Sequence, residues 1–328
     1  MQVLVTGGAG YVGSHCAKAL AAAGHVPVVY DNLATGNRWA VRYGPFEHGD
    51  ITDLTRLTAV MDKHRIEAVM HFAALSDVGA STSDPLAYYA VNVVGTHRLL
   101  VAMRARGITR IVFSSTCAIY GMAGRSSALG EDTPALPISP YGQSKNTAER
   151  MIADSAVWGL GGVALRYFNA AGADEDGEIG EAHEPETHLI PLVLHAAAGL
   201  RPDIKIFGRD YPTRDGTCVR DYIHVADLAA AHVQALQRVE PGQFAAYNLG
   251  TGSGSSVLEV IDAVRRICGR PVVAIEAARR PGDPPELVAD PARAHAALGF
   301  TASLTLDDMI ESAWRFLVNH GNMDPRRA

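Results

Sequence analysis

Cysteine is scarce in this chain: its 328 residues hold four, Cys16, Cys117, Cys218 and Cys268, with no C-x-x-C pair. That excludes a dense disulfide framework and a cysteine-based zinc site, suits a reducing compartment such as cytoplasm, and leaves no metal site expected. No block of Lys or Arg stands out and the formal net charge is −6, so the electrostatic footprint of a nucleic-acid binder is missing. Long apolar runs are missing too. The longest, "LIPLVLHAAAGL" at 189–200, is broken by Pro191 and His195, falls short of the ~20 residues a membrane span needs, and reads as a buried helix. The opening "MQVLVTGG" passes straight from apolar to glycine, without the regions of a signal peptide. What is present, 48% hydrophobic and 20% charged residues, is the make-up of a soluble chain with core enough for one large or two ordinary domains.

From residue 2 to about 169, short β-branched runs alternate with helical periodicity. "VLVT", "VPVVYD", "EAVMHFAAL", "RIVFSST" and "GVALRYFN" read as strands, and 11–23, 53–65, 84–106 and the segment after Ser139 as helices. Strands that are continuously apolar are buried on both faces, and helical crossovers make them parallel. The fold class predicted is therefore α/β, a doubly wound parallel Rossmann sheet with a second, smaller α+β substrate domain. The first domain spans 1–169, with return segments near 218–251 that include the strand-like "AAYNLGT". The second spans 170–328 and starts in a Gly- and acid-rich stretch.

The first turn, "TGGAGYVGSH", places Gly7, Gly8, Gly10 and Gly13 between a strand and a helix. Such a loop lets backbone approach a pyrophosphate at the positive end of a helix. The second strand ends in Asp31, eighteen residues past Gly13, where a carboxylate can accept hydrogen bonds from a ribose diol and would repel a 2′-phosphate. That points to NAD rather than NADP. Asp50 in "GDI", the small residues of "HFAAL" and Thr116 in "SST" are placed at the ends of the third, fourth and fifth strands, where ligands of open α/β sheets bind. Thr116 also has a simpler reading, a strand-end hydroxyl bonded to nearby backbone.

"SPYGQSK" at 139–145 sets Tyr141 one helical turn before Lys145, after a Ser-Pro helix start. A surface lysine beside a half-buried tyrosine is one reading. The other is chemical: a tyrosine of pKa about 10 needs roughly 4 kcal/mol of preference for its phenolate to ionise near 7, and one ammonium at ~4 Å and a dielectric of ~20 supplies about that. Beside an oxidised nicotinamide the pair would be a general base for alcohol oxidation and its reverse, with Thr116 holding the same hydroxyl.

Together with "YYAVNVVGTHRLL", "LRYFNAAGA", "IFGRDYPTRDGTCVRDYIHVADLA" and "RRPGDPPELVAD", these stretches resemble the nucleotide-sugar epimerases of the extended short-chain dehydrogenase/reductase family over nearly the whole chain. The resemblance implies a tightly held NAD+ and a UDP-hexose inverted at C4 through a 4-keto sugar, with Tyr141, Lys145 and Thr116 catalytic. It implies cofactor contacts from Gly7, Gly10, Tyr11, Val12, Gly13, Asp31, Asn32, Asp50, Ile51, Phe72, Ala73, Ala74, Asn92, Ser114, Tyr141, Lys145 and Tyr167. Asn169, His188, Leu189, Arg220, Arg280, Asp283 and Leu287, with Thr116 and Tyr141, are implied to hold the substrate. A homodimer is implied, through the 84–106 helix and the helix bearing Tyr141.

Three departures matter, of which one, Thr116 where serine is also common, should preserve function. Ser76 stands where relatives often carry a lysine toward the cofactor, and Leu287 where some carry a tyrosine closing the sugar pocket, which leaves room for an N-acetyl group. Dehydratases and decarboxylases of this type need an acid after the strand-five hydroxyl, and Cys117 and Ala118 stand there instead. A uronate epimerase would differ mainly in pocket cations, which leaves that reading open. So does a dinucleotide-binding scaffold without catalysis, although a pure binder has no use for a base.

Overall fold

Alternation along the strands explains the layering. In β1 (Gln2–Thr6), Val3 and Val5 enter one core with Cys16 and Leu20, while Leu4 between them enters another with Val28, Leu57 and Leu99. Successive side chains point to opposite faces, so a strand apolar at every position needs helices on both. The computed structural model describes residues 1–122, 128–280 and 282–320, and its main sheet has both faces covered. β2 (Val26–Asp31), β3 (Phe46–His48), β4 (Ala68–His71), β5 (Arg110–Thr116), β6 (Gly161–Tyr167) and the strand Phe244–Leu249 complete it. The order is Phe244–Leu249, β6, β5, β4, β1, β2, β3, every pair parallel. Winding reverses between β1 and β4, which opens the crevice at their carboxyl ends.

The helices Tyr11–Ala22 and Val225–Gln237 pack together on one face; Leu54–His64, Gly95–Ala105 and Pro140–Asp154 cover the other. The single helix expected over 84–106 is three pieces: a turn at Pro85–Tyr88, a π-helical stretch at Tyr89–Val94 and the α-helix Gly95–Ala105. The widened π turn adds a residue to the helix, and Asn92, within it, is buried. β3 stops at His48, so Asp50 lies two residues beyond its end rather than at it.

A smaller layer packs the helices Leu189–Ala197, Val257–Cys268 and Leu306–His320 with the short strands Ile204–Phe207 and Ala274–Ala277 around their own core. Ala294, Leu298 and Phe300, late in the chain, pack into the sheet core instead. Ile119, Tyr120, Leu129, Phe168 and Ala289 form a fourth cluster, against which Cys117 and Leu287 lie. It joins the end of β5 to the short strand Glu286–Leu287.

Candidate active site

The glycine loop fits tightly against the end of β4. Gly7 has φ +72, and a Cβ built there would stand 2.5 Å from the Ala73 nitrogen; one at Gly13 would stand 2.3 Å from the Gly7 carbonyl. The turn at 72–73 is fastened to β1 by Phe72 and Ala73 N–H groups, both donating to the Thr6 carbonyl at 2.9 and 3.0 Å. No side chain caps the helix that starts at Tyr11 and no acid sits in its first turn, so its free N–H groups are available to a phosphate. The expected contributions of Tyr11 and Val12 are thereby confined to backbone: the Tyr11 hydroxyl donates to the Gly172 carbonyl at 2.6 Å, and Val12 packs on the core.

Asp31 ends β2 and is only 8% exposed. Its Oδ2 accepts from Ala9 N–H at 3.0 Å and its Oδ1 from Leu33 N–H at 2.8 Å, which fixes the carboxylate and leaves lone pairs for a diol. Burial raises its pKa against those bonds. Asn32 donates to Asp50 at 2.8 Å, Ile51 is core, and Ser76 is exposed. A loop without room for side chains, an uncapped helix end and a held carboxylate together fit a dinucleotide with an unphosphorylated ribose.

Tyr141 and Lys145 are 9% and 3% exposed, on a helix started by Pro140 and by Ser139 Oγ accepting from Gly142 N–H at 3.1 Å. The reading of Lys145 as a surface lysine is thus excluded. Its Nζ donates to the Ser114 carbonyl on β5 at 2.8 Å and lies 4.9 Å from the centre of the Phe113 ring. Here the electrostatic expectation needs correction. Burial pushes the Tyr141 phenol well above its usual range, against the lowering influence of the Thr116 hydroxyl, and burial draws Lys145 down to about 7. The ammonium spends its bond on a carbonyl, so the protein alone does not ionise the phenol. Cys117, partly buried, is pushed up to about 12 by desolvation, which removes it as a neutral-pH acid.

Three residues absent from the sequence reading hold this helix. Ser144 accepts from Asn92 Nδ2 at 2.9 Å, and Asn92 also clamps the backbone of Leu75 through its Oδ1 (2.8 Å) and Nδ2 (3.0 Å). Asn92 is therefore a brace between the catalytic helix and the end of β4. On the next turn Glu149 accepts from Ser115 and pairs with Arg166 at 2.6 Å. Ser114 Oγ meets the Tyr167 hydroxyl at 2.7 Å. Position i+4 from Lys145 was the available signal for Glu149; nothing in the spacing marked Arg166.

On the substrate side, the strands Val219–Arg220 and Glu286–Leu287 pair in parallel, which brings Arg220, Asp283 and Leu287 together. Arg220 forms an ion pair with Asp283 and donates to the Val219 carbonyl at 2.7 Å. Its charge also lowers the Cys117 thiol against burial, which places it near the end of β5. Asn169 Nδ2 donates to the Asp221 carbonyl at 3.1 Å. Asp221, missed in sequence, is a fully buried hub accepting from Thr251, Gly252 and Ala289 N–H groups at 2.8, 3.0 and 3.1 Å. Arg280 stacks 4.1 Å from the centre of the Phe207 ring.

The His188 imidazole is about half exposed and meets Glu181 at 2.8 Å and Glu186 at 3.1 Å. Its backbone leads into the helix starting at Leu189. Burial lowers its pKa, but the two carboxylates more than offset that and hold it at about 10; the same balance holds His183 at about 9.

Residues 3–250 match the NAD dependent epimerase/dehydratase family. The chain is 51% identical over 314 residues to a UDP-glucose 4-epimerase of Rhizobium leguminosarum bv. trifolii, covering 95% of this chain and 96% of that one. Among solved structures, a UDP-glucose 4-epimerase from Brucella ovis in complex with NAD is 52% identical with a TM-score of 0.92, covering 95% of this chain and 97% of that one. The UDP-Glc/GlcNAc 4-epimerase from Campylobacter jejuni is 35% identical with a TM-score of 0.84, covering 97% and 99%.

Proposed function

The chain belongs to the NAD dependent epimerase/dehydratase family, and from that premise we infer that it interconverts UDP-glucose and UDP-galactose by reversible inversion at C4. It is an NAD-dependent isomerase. When bound, the dinucleotide supplies a hydride acceptor that becomes the donor in the return step, and its positive nicotinamide adds the charge that Tyr141 lacks in the protein alone. The observation that carries the reading is one helix face: Tyr141 and Lys145, both buried, at the carboxyl end of β5. Tyr141 takes the 4-hydroxyl proton and returns it, Thr116 holds that hydroxyl, and Lys145 presents its ammonium from the Ser114 carbonyl. Gly7, Gly10 and Gly13, Asp31 and the turn at 72–74 hold the dinucleotide; Asn169, Arg220, Asp283 and the His188–Leu189 backbone hold the nucleotide sugar. Incubating the purified protein with UDP-galactose and no added reductant should yield UDP-glucose; no product under any NAD+ supplementation would end the reading.

Leu287 packs against the cluster that holds Ile119 and Phe168, where its modest bulk supports turnover of UDP-N-acetylhexosamines as well. Assays at equal concentrations that detect only the unacetylated hexoses would remove that extension. The homodimer is part of the reading: Val94 and Val101, 44% and 38% exposed, present apolar surface on the segment beside the Tyr141 helix, and sedimentation at micromolar protein should show two copies. No described helix is long and apolar enough to cross a membrane and all four cysteines are free, which supports a reducing, cytoplasmic setting.

A further inference from the structure

The loop before the helix Leu189–Ala197 reads Glu181-x-His183-x-x-Glu186-x-His188. One ligand atom from each of these four side chains lies within 4.8 Å of the others. His183 Nδ1 stands 3.2 Å from Glu181 and 3.7 Å from Glu186; His188 Nδ1 stands 2.8 Å from Glu181 and 3.1 Å from Glu186. A tetrahedral zinc with bonds of about 2.0–2.2 Å has ligand–ligand edges of about 3.3–3.5 Å, and the four distances straddle that value.

Two further features favour a cation over a plain ion-pair cluster. His183 Nδ1 is buried and lies 3.2 Å from Glu181 without a hydrogen bond of good geometry, which leaves its lone pair open to another partner. Glu186 is pre-oriented, because its Oε1 accepts from Thr187 and His188 N–H groups at 2.7 and 2.8 Å, the backing that ligating carboxylates usually have. Both carboxylates are 7% exposed and need positive charge beside them, which one divalent cation can supply in place of two protonated imidazoles.

We propose that Glu181, His183, Glu186 and His188 bind one divalent transition-metal ion of the zinc type. Two imidazoles with two carboxylates suit zinc, whereas calcium and magnesium favour six or more oxygens. A second acidic cluster, Asp174, Asp176 and Glu178, is already neutralised by Lys18 and Arg42 and takes no part. Metal binding does not depend on the sugar reading; only its consequence does, since the ligand loop ends in the His188–Leu189 backbone assigned to the nucleotide sugar.

The test uses the full chain, stripped with chelator and dialysed against zinc alone, with cobalt(II) as a spectroscopic substitute. Expected are about one equivalent bound, an intense tetrahedral cobalt spectrum, and affinity about 100-fold weaker or worse in Glu181→Gln and His183→Ala. Asp176→Asn should bind as the parent does. Less than about 0.1 equivalent, a weak octahedral cobalt spectrum, or undiminished affinity in both variants would overturn the proposal. Should those variants fail to fold, the stoichiometry and spectrum of the unaltered chain decide it.

Discussion

Lys145 and His188 sit in different surroundings. Lys145 is enclosed, with the Ser114 carbonyl as its only hydrogen-bond partner among the described residues, and is drawn down to about 7; His188, about half exposed, meets two carboxylates and is lifted to about 10. A cation packed without a counter-ion leaves its surroundings short of charge, and so does a phenol that burial keeps neutral. That unbalanced region is where a positively charged cofactor changes protonation most. The loop at 181–188, by contrast, is balanced, and its side chains have no spare capacity to move a proton near neutrality. Perturbed groups of the first kind mark chemistry; those of the second mark anchoring.

The sharpest way to break this contrast is Tyr141→Phe, which removes only the hydroxyl. Turnover of UDP-galactose should fall by about 10²–10⁴-fold, the range of general acid–base catalysis, while bound dinucleotide stays; a rate within tenfold of the parent would move the base elsewhere. Next in size is Gly7→Val. At φ +72, with Ala73 backbone in the way, it should cut NAD+ retention by about 100-fold through strain and overpacking, read by absorbance of the purified, folded protein.

Leu287→Tyr tests the substrate side. The added bulk should lower kcat/KM for UDP-N-acetylglucosamine relative to UDP-galactose by about tenfold, the scale of a small steric change in a pocket; an unchanged ratio would take Leu287 out of the sugar pocket.

The smallest effect belongs to the balanced loop. The imidazoles of His183 and His188 sit above their usual pKa near 6.5, at about 9 and about 10. Their stabilisation is therefore complete below about pH 6.5 and is lost as pH rises toward 10. Glu186 is held low, so its share is lost as pH falls below about 4.5. In chelator-treated protein, His183→Ala should lower Tm by about 2–4 °C near pH 6 and by much less near pH 10. A gap that widens with pH would contradict the assignment.

How much of this was legible in sequence follows the same division. The glycine turn, Asp31, the Tyr141–Lys145 spacing and the strand returning at 244–249 are local signals: a motif, a strand end, a helical period. Each survives into the fold because the sheet sets its position. Asp221 and Arg166 were silent because their meaning lies in partners 17 to 68 residues away. Glu181, His183 and Glu186 went unread because the search for ligands followed cysteine. The ionised phenol leans on the nicotinamide's charge as much as on the lysine's, since spacing shows that two groups share a face and says nothing of where the ammonium spends its hydrogen bonds.

The account's centre is that hydrogen leaves C4 and returns to the same carbon from within the closed site, with no exchange into water. The direct measurement is conversion of UDP-galactose carrying deuterium at C4, in ordinary water, with the UDP-glucose product analysed by mass and position of label. Full retention of deuterium at C4 is the predicted result; loss of the label to solvent would contradict it.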